Sequence, residues 1–401
     1  MDLLEPTVQP YAWGSRTVIA GLQGRPAPTP QPEAELWMGA HPSSPSRLDR
    51  ACVRTTLDAV IAADPAGELG ARCAARFGGR LPFLLKVLAV DKALSIQVHP
   101  SREQAEAGFR AENERGLPPG DKGRNYVDDW PKPEILSALT PFEILAGMRT
   151  TADAAALLRA LDVGELAPVA AGLEAAAGAS SALTAALAWV LSWPYGKRAA
   201  LIAAVVAACS RLAAGSGPYA AACGATVRLG AEHPGDLGVV ASLLLRHAML
   251  RPGEAVFLPA GGLHCYLHGT GVELLANSDN VVRAGLTGKH VDVPELLKLT
   301  DPAVPVPVIE PRPAGDGVSV YETPAPEFRL YRAEIPAAGL TLPGDGARLL
   351  LCDEGTVTLR AAAGGRLKAG RGESCFLSAA DGAVTAGGPA HIFLAASGLS
   401  G

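Results

Sequence analysis

The stretch RPGEAVFLPAGGLHCYLHG, residues 251–269, decides the fold prediction. Gly253 is followed after five residues by Pro259, then after one by Gly261 and after two more by His264. Two glycines and a proline at these spacings are typical of a tight turn between two short strands. Strand residues at i and i+2 share a face, so His264 and Tyr266 are expected to point to the same side.

The pattern G-x5-P-x-G-x2-H resembles the second motif of the cupins, small double-stranded β-helix (jelly-roll) barrels that hold a metal in their mouth. The resemblance implies a barrel into which His264 points. The hexapeptide GEAVFL at 253–258 recurs as GESCFL at 372–377, which predicts a duplicated β unit. SAADGA, without a histidine, follows the second copy, so only the first copy is expected to keep a polar site.

The remaining sequence divides into regions of different composition and hydrophobic pattern. Short apolar runs at 35–39, 81–90 and 93–99 predict strands. An alanine-rich region then predicts helices at 153–164, with Thr151 or Asp153 as its cap, and at 180–192 and 197–213. The predicted fold class is mainly β with a helical insertion: two cupin-type barrels plus an α-helical domain. The predicted parts are a catalytic barrel (1–150 and 246–320), an α-helical insertion (151–245) and a C-terminal cupin-like domain without metal ligands (321–401).

Composition limits the partners. A net charge of -5 argues against nucleic acid or an anionic membrane, so an anionic ligand must meet a local cluster of basic groups. Seven scattered cysteines without CxxC spacing indicate reduced thiols. No signal peptide is visible, and the most apolar stretch, 199–209, is shorter than the roughly 20 residues of a membrane span. We expect a cytoplasmic monomer.

Two pairs of polar residues stand at i, i+2 in apolar surroundings. In LSIQVHP, Gln97 and His99 share a face, and in WPKPEIL so do Lys132 and Glu134. Alone, the first pair suits a hydrogen-bonded barrel interior and the second suits an edge strand with a solvated face. Together with His264 they offer two imidazoles, a carboxylate and an amide oxygen, which suit Zn²⁺ or Fe²⁺. Spacing alone does not bring these four side chains together.

A carboxylate follows on the strand after His264. If residues 268–271 form a four-residue turn, Tyr266 pairs with Glu273 and both share a face with His264. A register slip of one residue would turn Glu273 away.

Several longer segments resemble the type I mannose-6-phosphate isomerases, also called phosphomannose isomerases. They are YAWGS (11–15), ELWMGAHPSSPS (35–46), LPFLLKVLAVDKALSIQVHPS (81–101), WPKPEI (130–135) and LPAGGLHCYLHGTGVELLANSDNVVRAGLTGKHVDV (258–293). The resemblance implies one Zn²⁺ per chain on Gln97, His99, Glu134 and His264. It also implies interconversion of mannose 6-phosphate and fructose 6-phosphate through a cis-enediol.

The resemblance implies further site residues. Glu273 is the favoured base, with His99 or a zinc-bound water as rivals. Arg283 and Lys289 suit phosphate anchoring, although Arg283 can instead stabilise charge over the reacting carbons. The catalytic candidates are Glu273, Arg283 and Lys132, and the substrate-binding candidates are Lys289, Lys86, Trp13, Ser95 and Tyr266. Gly288 stands where the family usually has proline, which is expected to loosen the loop that carries Lys289.

Two other functions stay open at this level. A cupin Fe²⁺ oxygenase would use the same two histidines and carboxylate, but Gln97 and the basic residues argue against it. A non-catalytic sugar-phosphate sensor would not require Glu273 as a base. A coupled isomerase assay distinguishes both from the isomerase.

Overall fold

The computed structural model describes residues 1–399, which contain two large sheets and a helical region. The strands are β1 Asp2–Leu4, β2 Thr7–Gln9, β3 Glu35–Met38, β4 Arg47–Arg50, β5 Val53–Thr56, β6 Phe83–Val90, β7 Ile96–Val98, β8 Glu134–Ala138, β9 Phe142–Met148, β10 Leu245–Leu250, β11 Ala255–Leu258, β12 His264–Ala276, β13 Val282–Gly285, β14 Val308–Ile309, β15 Arg312–Gly315, β16 Val318–Tyr321, β17 Arg329–Ile335, β18 Leu340–Thr341, β19 Arg348–Ala361, β20 Arg366–Gly370, β21 Ser374–Leu377, β22 Val384–Gly387 and β23 Ala390–Ala396. The α-helices are α1 Val18–Leu22, α2 Leu57–Ala63, α3 Pro65–Leu69, α4 Ala71–Phe77, α5 Arg102–Glu114, α6 Thr151–Leu161, α7 Ala167–Ala175, α8 Ser180–Leu191, α9 Arg198–Ala213, α10 Ala220–Glu232, α11 Gly238–Ala241 and α12 Val293–Leu299.

The two large sheets have the same order of strands. The first runs β14-β11-β8-β12-β6-β3-β2, and the second runs β1-β21-β19-β23-β17-β16-β15. β11 and β21, which carry the repeated hexapeptides, occupy the same place in the two orders. Six of these positions also follow the same order along the chain, whereas the outermost pair does not, since β14 comes after the other strands of the first sheet and β1 comes before those of the second. The repeat predicted from six residues is therefore seen in six strands of each sheet.

Backbone hydrogen bonds repeat with the same register. In the first sheet, Gly253 N donates to Ala138 O at 2.8 Å, and in the second sheet Gly372 N donates to Cys352 O at 2.7 Å. Leu258 pairs with Glu134 as Leu377 pairs with Arg348. Each position of the first sheet therefore has a defined counterpart in the second.

Sheet membership differs from the predicted boundaries at two places. β1, at the start of the chain, pairs with β21 of the second sheet. β15 and β16, which begin before residue 321, also belong to that sheet. The two sheets bury one shared core, in which Leu85 and Val272 of the first sheet join Leu349 and Phe393 of the second.

The helical region packs against one end of the first sheet. Leu157, Leu187 and Val205 from its helices share a core with Val98 and Val282 from β7 and β13. The three predicted helices correspond to α6, α8 and α9, within three residues at each end. Within residues 1–399, no helix has the length and apolar character needed to cross a bilayer.

Two local predictions are wrong. The cap of α6 is Thr150, whose hydroxyl accepts from Asp153 N at 3.1 Å, because the helix already begins at Thr151. β8 is not an edge strand, because β11 and β12 flank it and all five of its residues are buried. Lys132 lies in the segment just before β8, between two prolines.

The hairpin predicted at residues 268–271 is also absent. β12 runs without a turn through this segment, pairing first with β7 and β9 and then with β6 and β8. Its register shifts between Tyr266 and His268, and Gly269 has φ +133°. Such a bulge bends a strand and changes which side chains share a face. Tyr266 and Glu273 thus reach one side along a single bent strand.

Candidate metal centre and adjoining cavity

Three strand ends bring two histidines and a carboxylate together. His99 follows β7, Glu134 begins β8 and His264 begins β12. All three side chains are buried, and one potential ligand atom from each lies within 4.8 Å of the others. Spacing could not predict this convergence, because it depends on β12 pairing with both β7 and β8.

The separations between these atoms suit a small divalent cation. Nε2 of His99 lies 3.4 Å from Oε1 of Glu134, and Nε2 of His264 lies 3.8 Å from Oε2. Tetrahedral zinc with bonds of about 2.0–2.1 Å separates its ligand atoms by about 3.4 Å. The cluster is therefore close to the geometry that zinc requires.

In both histidines the tautomer leaves a lone pair on Nε2, the nitrogen that faces the cluster. Nδ1 of His99 lies 2.8 Å from Asn280 O, and Nδ1 of His264 lies 2.9 Å from Gly262 O. A carbonyl only accepts, so both Nδ1 atoms donate and both Nε2 atoms carry lone pairs. In residues 1–399, His99 Nε2 and Glu134 Oε2 are buried without a hydrogen-bond partner. Unsatisfied acceptors that face one another are the donor set that a cation satisfies.

The charges of the cluster also suit a metal. Burial lowers the pKa of His99, and burial together with His99 lowers the pKa of His264 to about 4. Burial would raise the pKa of Glu134, but Lys132 and His99 hold it well below its usual value. Near neutral pH the site therefore has neutral imidazoles and an ionised carboxylate, the protonation states that bind metal.

Gln97 lies beside the cluster, as predicted. It pairs with His264 across β7 and β12, and its Nε2 lies 3.2 Å from His264 Nε2. Amide oxygen and nitrogen differ only by a half-turn of the terminal group. That rotation places Oε1 where Nε2 now contacts His264 Nε2.

A cavity of about 770 Å³ adjoins the cluster. Gln97 and Glu134 line it, whereas His99 and His264 are not among its lining residues. All eight predicted catalytic and substrate-binding residues line it as well: Glu273, Arg283, Lys132, Lys289, Lys86, Trp13, Ser95 and Tyr266. The structure therefore brings these eight residues together with Gln97 and Glu134 around one space, beside the two histidines.

The cavity also has lining residues that sequence reasoning missed, including Glu35 and Trp37 of β3. Lys86 Nζ lies 3.1 Å from Glu35 Oε2 and 3.5 Å from Glu273 Oε2. Trp37 Nε1 donates to Glu35 Oε2 at 2.5 Å, and the Lys86 ammonium lies 4.7 Å from the centroid of the Trp37 ring. Only the pairing of β3 with β6 reveals this chain of contacts, since Glu35 has no motif spacing to Lys86.

Opposing effects of burial and charge set the protonation of these groups. Burial would lower the pKa of Lys86, but Glu35 and Glu273 outweigh it and raise the pKa. Burial and the charge of Glu134 raise the pKa of Glu273 to about 7, against the lowering effect of Lys86. A buried carboxylate that titrates near neutrality suits transfer of a proton.

Positive charge continues along the cavity from the metal cluster. Arg283 stands opposite Gln97 across β13 and β7, and Lys289 lies in the following loop. Burial lowers the pKa of Arg283, and burial together with Arg283 lowers that of Lys289. In the described part of the chain, neither side chain has a carboxylate within ion-pair distance. Two unneutralised cations facing a cavity favour an anionic ligand.

The second sheet replaces the polar groups at equivalent positions. Arg348 stands at the position of Glu134, Leu394 at that of Glu273 and Tyr331 at that of Lys86. The Arg348 side chain is fully buried and donates to Gly344 O at 3.1 Å and Gly382 O at 2.8 Å. A fixed guanidinium thus occupies the place of a metal-facing carboxylate.

Fold and site together define a metal-dependent enzyme of mainly β structure, with a His₂–carboxylate centre that opens on a charged cavity.

Comparisons with known proteins agree with this class. Residues 1–151 match the family described as "Phosphomannose isomerase type I, catalytic domain". The chain is 37% identical over 402 residues to the mannose-6-phosphate isomerase of Escherichia coli (strain K12), with 98% of each covered. It is 33% identical over 383 residues to that of Homo sapiens, with 88% of this chain and 87% of the relative covered.

Solved structures give the same result. A mutant phosphomannose isomerase from Salmonella typhimurium has a TM-score of 0.90 at 34% identity, with 100% of each chain covered. A zinc-bound crystal structure of mannose 6-phosphate isomerase has a TM-score of 0.88 at 34% identity, with 99% of each covered. The chain belongs to the type I mannose-6-phosphate isomerase family.

Proposed function

We propose that this chain is a zinc-dependent aldose–ketose isomerase that interconverts mannose 6-phosphate and fructose 6-phosphate. The observation that carries the proposal is the convergence of His99, Glu134 and His264, with a lone pair on Nε2 of each imidazole, beside a cavity that Glu273 lines. The family relatives support the substrate, since they are named mannose-6-phosphate isomerases. The zinc-bound structural relative supports the metal.

Gln97, His99, Glu134 and His264 are the proposed zinc ligands. Neutral imidazoles, an ionised carboxylate and an amide that can turn its oxygen inward support this assignment. When bound, zinc supplies Lewis acidity that stabilises negative charge developing on the sugar oxygens. The hydrogen bonds from Nδ1 to Asn280 O and Gly262 O hold both rings in the orientation that binding requires.

Glu273 is the proposed base. In the direction from mannose to fructose, its carboxylate takes the proton from C2 while O1 takes up a proton, which gives the cis-enediol. The carboxylic acid then returns its proton to C1 while the O2 hydroxyl loses its proton, so that C2 becomes the carbonyl carbon. A pKa raised to about 7 supports this role, because the carboxylate is then both available and basic enough near neutral pH. Lys86, 3.5 Å away, holds the carboxylate in place.

Three other basic residues have separate proposed roles. Lys132, whose Nζ lies 2.8 Å from Glu134 Oε1, contributes positive charge at the metal end. Arg283, opposite Gln97, stabilises the enediolate over the reacting carbons. Lys289 anchors the phosphate at the far end. Trp13, Ser95 and Tyr266 form the walls against which the sugar lies.

The finer architecture belongs to the same proposal. The shared order of six strands supports two cupin-type barrels, with a catalytic barrel from 1–150 and 246–320, a helical insertion at 151–245 and a C-terminal barrel at 321–401. β1, β15 and β16 then cross those boundaries to complete the C-terminal barrel. Limited proteolysis should cut between these parts, sedimentation should give a monomer, and cell fractionation should find the protein in the cytoplasm.

A coupled assay for fructose 6-phosphate formed from mannose 6-phosphate tests the function. Activity should disappear on thorough chelation and return with zinc. Glu134→Ala should lose bound zinc and activity together, and added zinc at the same concentration should not restore the variant. Activity that survives complete metal removal would reject the Lewis-acid role, and inactive zinc-loaded protein would reject the isomerase.

A further inference from the structure

The loop that carries Lys289 into the cavity is held from outside the first sheet. β13 ends at Gly285, and residues 286–289, here called the cation loop, follow it. Leu286 has φ +57°, an uncommon backbone conformation for a residue with a side chain. A loop with such a backbone persists only when its surroundings fix it.

Asp236, between α10 and α11 of the helical region, supplies that fixation. Its Oδ2 accepts from Thr287 N at 3.0 Å, while its Oδ1 accepts from Gly238 N at 2.7 Å. Thr287 Oγ1 in turn accepts from Lys289 N at 3.0 Å. One carboxylate therefore links the start of α11 to the cation loop, and a single further hydrogen bond extends the link to Lys289.

The backbones at this contact approach closely. A Cβ on Gly285 would lie 2.8 Å from the Cα of Gly238, and a Cβ on Gly238 would lie 2.6 Å from Leu286 N. Leu286 is buried in the core that the helical region shares with β7 and β13. The helical region thus contacts the cation loop through backbone, carboxylate and apolar side chain together.

We propose that Asp236 is a positioning residue for the substrate phosphate, through which the helical region holds the cation loop and Lys289 in the binding arrangement. The inference rests on the proposed function, in which Lys289 anchors the phosphate. It gives Asp236 no contact with substrate and no part in proton transfer. With Gly288 in the cation loop, the rigidity that a proline would provide comes from this carboxylate.

The test compares three alanine variants of the full zinc-loaded chain. Asp236→Ala should raise KM for mannose 6-phosphate about 5- to 10-fold, the change expected when the net contribution of an ordinary hydrogen bond is lost, with kcat within about twofold of wild type. The inhibition constant for inorganic phosphate should rise in parallel. Asp121→Ala is the matched control, because Asp121 Oδ1 also accepts from the backbone two residues on, at Gly123 N, and does not line the cavity. Its kinetic constants should equal those of wild type.

Lys289→Ala separates failure of this inference from failure of the proposed phosphate site. If Lys289→Ala raises both constants and Asp236→Ala changes neither, Asp236 has no positioning role and the phosphate site stands. If Lys289→Ala changes neither constant, the phosphate assignment fails and the inference fails with it. A fall in kcat of Asp236→Ala at unchanged KM also overturns the positioning role. Asp236→Asn, which keeps one acceptor oxygen, decides the same comparison if the alanine variant does not fold, with a smaller rise in both constants expected.

Discussion

Burial and the charges around Glu273 set the pKa of its carboxyl group. The side chain faces Lys86 at 3.5 Å, and the charges of Glu134 and Glu35 act on it from the neighbouring strand ends. Burial and the two other carboxylates favour the neutral acid, while Lys86 and Lys132 favour the anion. The balance places its titration near the pH at which an isomerase must both accept and return a proton.

Glu273→Gln should separate metal binding from turnover. The amide keeps the size of the side chain but cannot accept a proton, so kcat should fall by about 10²- to 10⁴-fold. Zinc content, measured by elemental analysis, should stay at one ion per chain, because Glu273 is outside the ligand set. Wild-type rates in this variant would exclude Glu273 as the base.

Glu35→Gln should move the acid limb of the pH profile. A pKa of about 7 leaves about a tenth of Glu273 ionised at pH 6, so kcat/KM should fall as the pH drops below neutrality. Glu35 raises that pKa and shares Lys86 with Glu273. Removing its charge therefore lowers the pKa of Glu273 and shifts the acid limb to lower pH.

The profile of kcat/KM against pH, recorded at constant zinc, measures this shift. Glu33→Gln is a suitable control, because Glu33 forms its ion pair with Arg25 and does not line the cavity. A shift of the limb to higher pH, or no shift, would contradict the role assigned to Glu35.

The sequence predicted many of the residues at the site, but it did not predict the contacts that hold them in place. Gln97, His99, Glu134 and His264 stand in motifs, so the resemblance implies all four as ligands. Glu35 also stands in one of the quoted segments, but its role and that of Asp236 could not be found this way. Both roles depend on partners 51 residues along the chain, Lys86 and Thr287. Contacts across that separation become visible only when the strands and helices are assembled.

At the scale of elements, β12 shows why a local prediction can fail and its consequence still hold. A four-residue turn at 268–271 would pair Tyr266 with Glu273 in a hairpin, but the strand continues through these residues and bends at a bulge. The bend changes which side chains share a face of the strand, so Tyr266 and Glu273 both line the cavity. Bulge and hairpin produce similar patterns over eight residues, and only the neighbouring strands distinguish them.

Gly269→Ala should destabilise the protein at this bend. A Cβ there would lie 2.7 Å from Phe142 Cδ2 and 2.8 Å from Pro141 O, and φ is +133°. Strain in the backbone and the close contact together should lower the free energy of unfolding by about 2–4 kcal/mol. Denaturant unfolding measures the change.

Gly172→Ala, in α7 with open space around it, is the control for Gly269→Ala. This change should leave the free energy of unfolding equal to that of wild type or about 0.5–1 kcal/mol higher, since alanine favours helix. Equal stability of the Gly269→Ala and Gly172→Ala variants would show that the bend tolerates a side chain.

At the scale of the whole molecule, the repeated hexapeptide predicted a duplication but not its extent. The common order of six strands, and the entry of β1 into the distant sheet, follow from pairings between residues far apart in the chain. The hydrophobic pattern predicted three helices, yet α5, α7 and α10 were missed. Low contrast between helix faces does not explain this, because α8 and α9 are just as alanine-rich and were predicted, and α5 begins with a capping box of Ser101 and Gln104.

Arg348 makes the two sheets differ in how their buried polar groups are satisfied at equivalent positions. In the first sheet, within residues 1–399, the buried acceptors His99 Nε2 and Glu134 Oε2 have no hydrogen-bond partner, whereas in the second sheet the Arg348 guanidinium donates to two loop carbonyls. Arg348→Met should leave those carbonyls unpaired and lower the free energy of unfolding by about 2–3 kcal/mol, whether or not zinc is present. Calorimetry of holo and chelated protein measures this, and a loss seen only with zinc bound would contradict it.

The buried cation of the second sheet is part of the polypeptide, so its hydrogen bonds do not depend on the supply of a metal ion. Because both sheets share one core, removal of zinc is expected to abolish activity while the second sheet continues to support the strands beside the metal site.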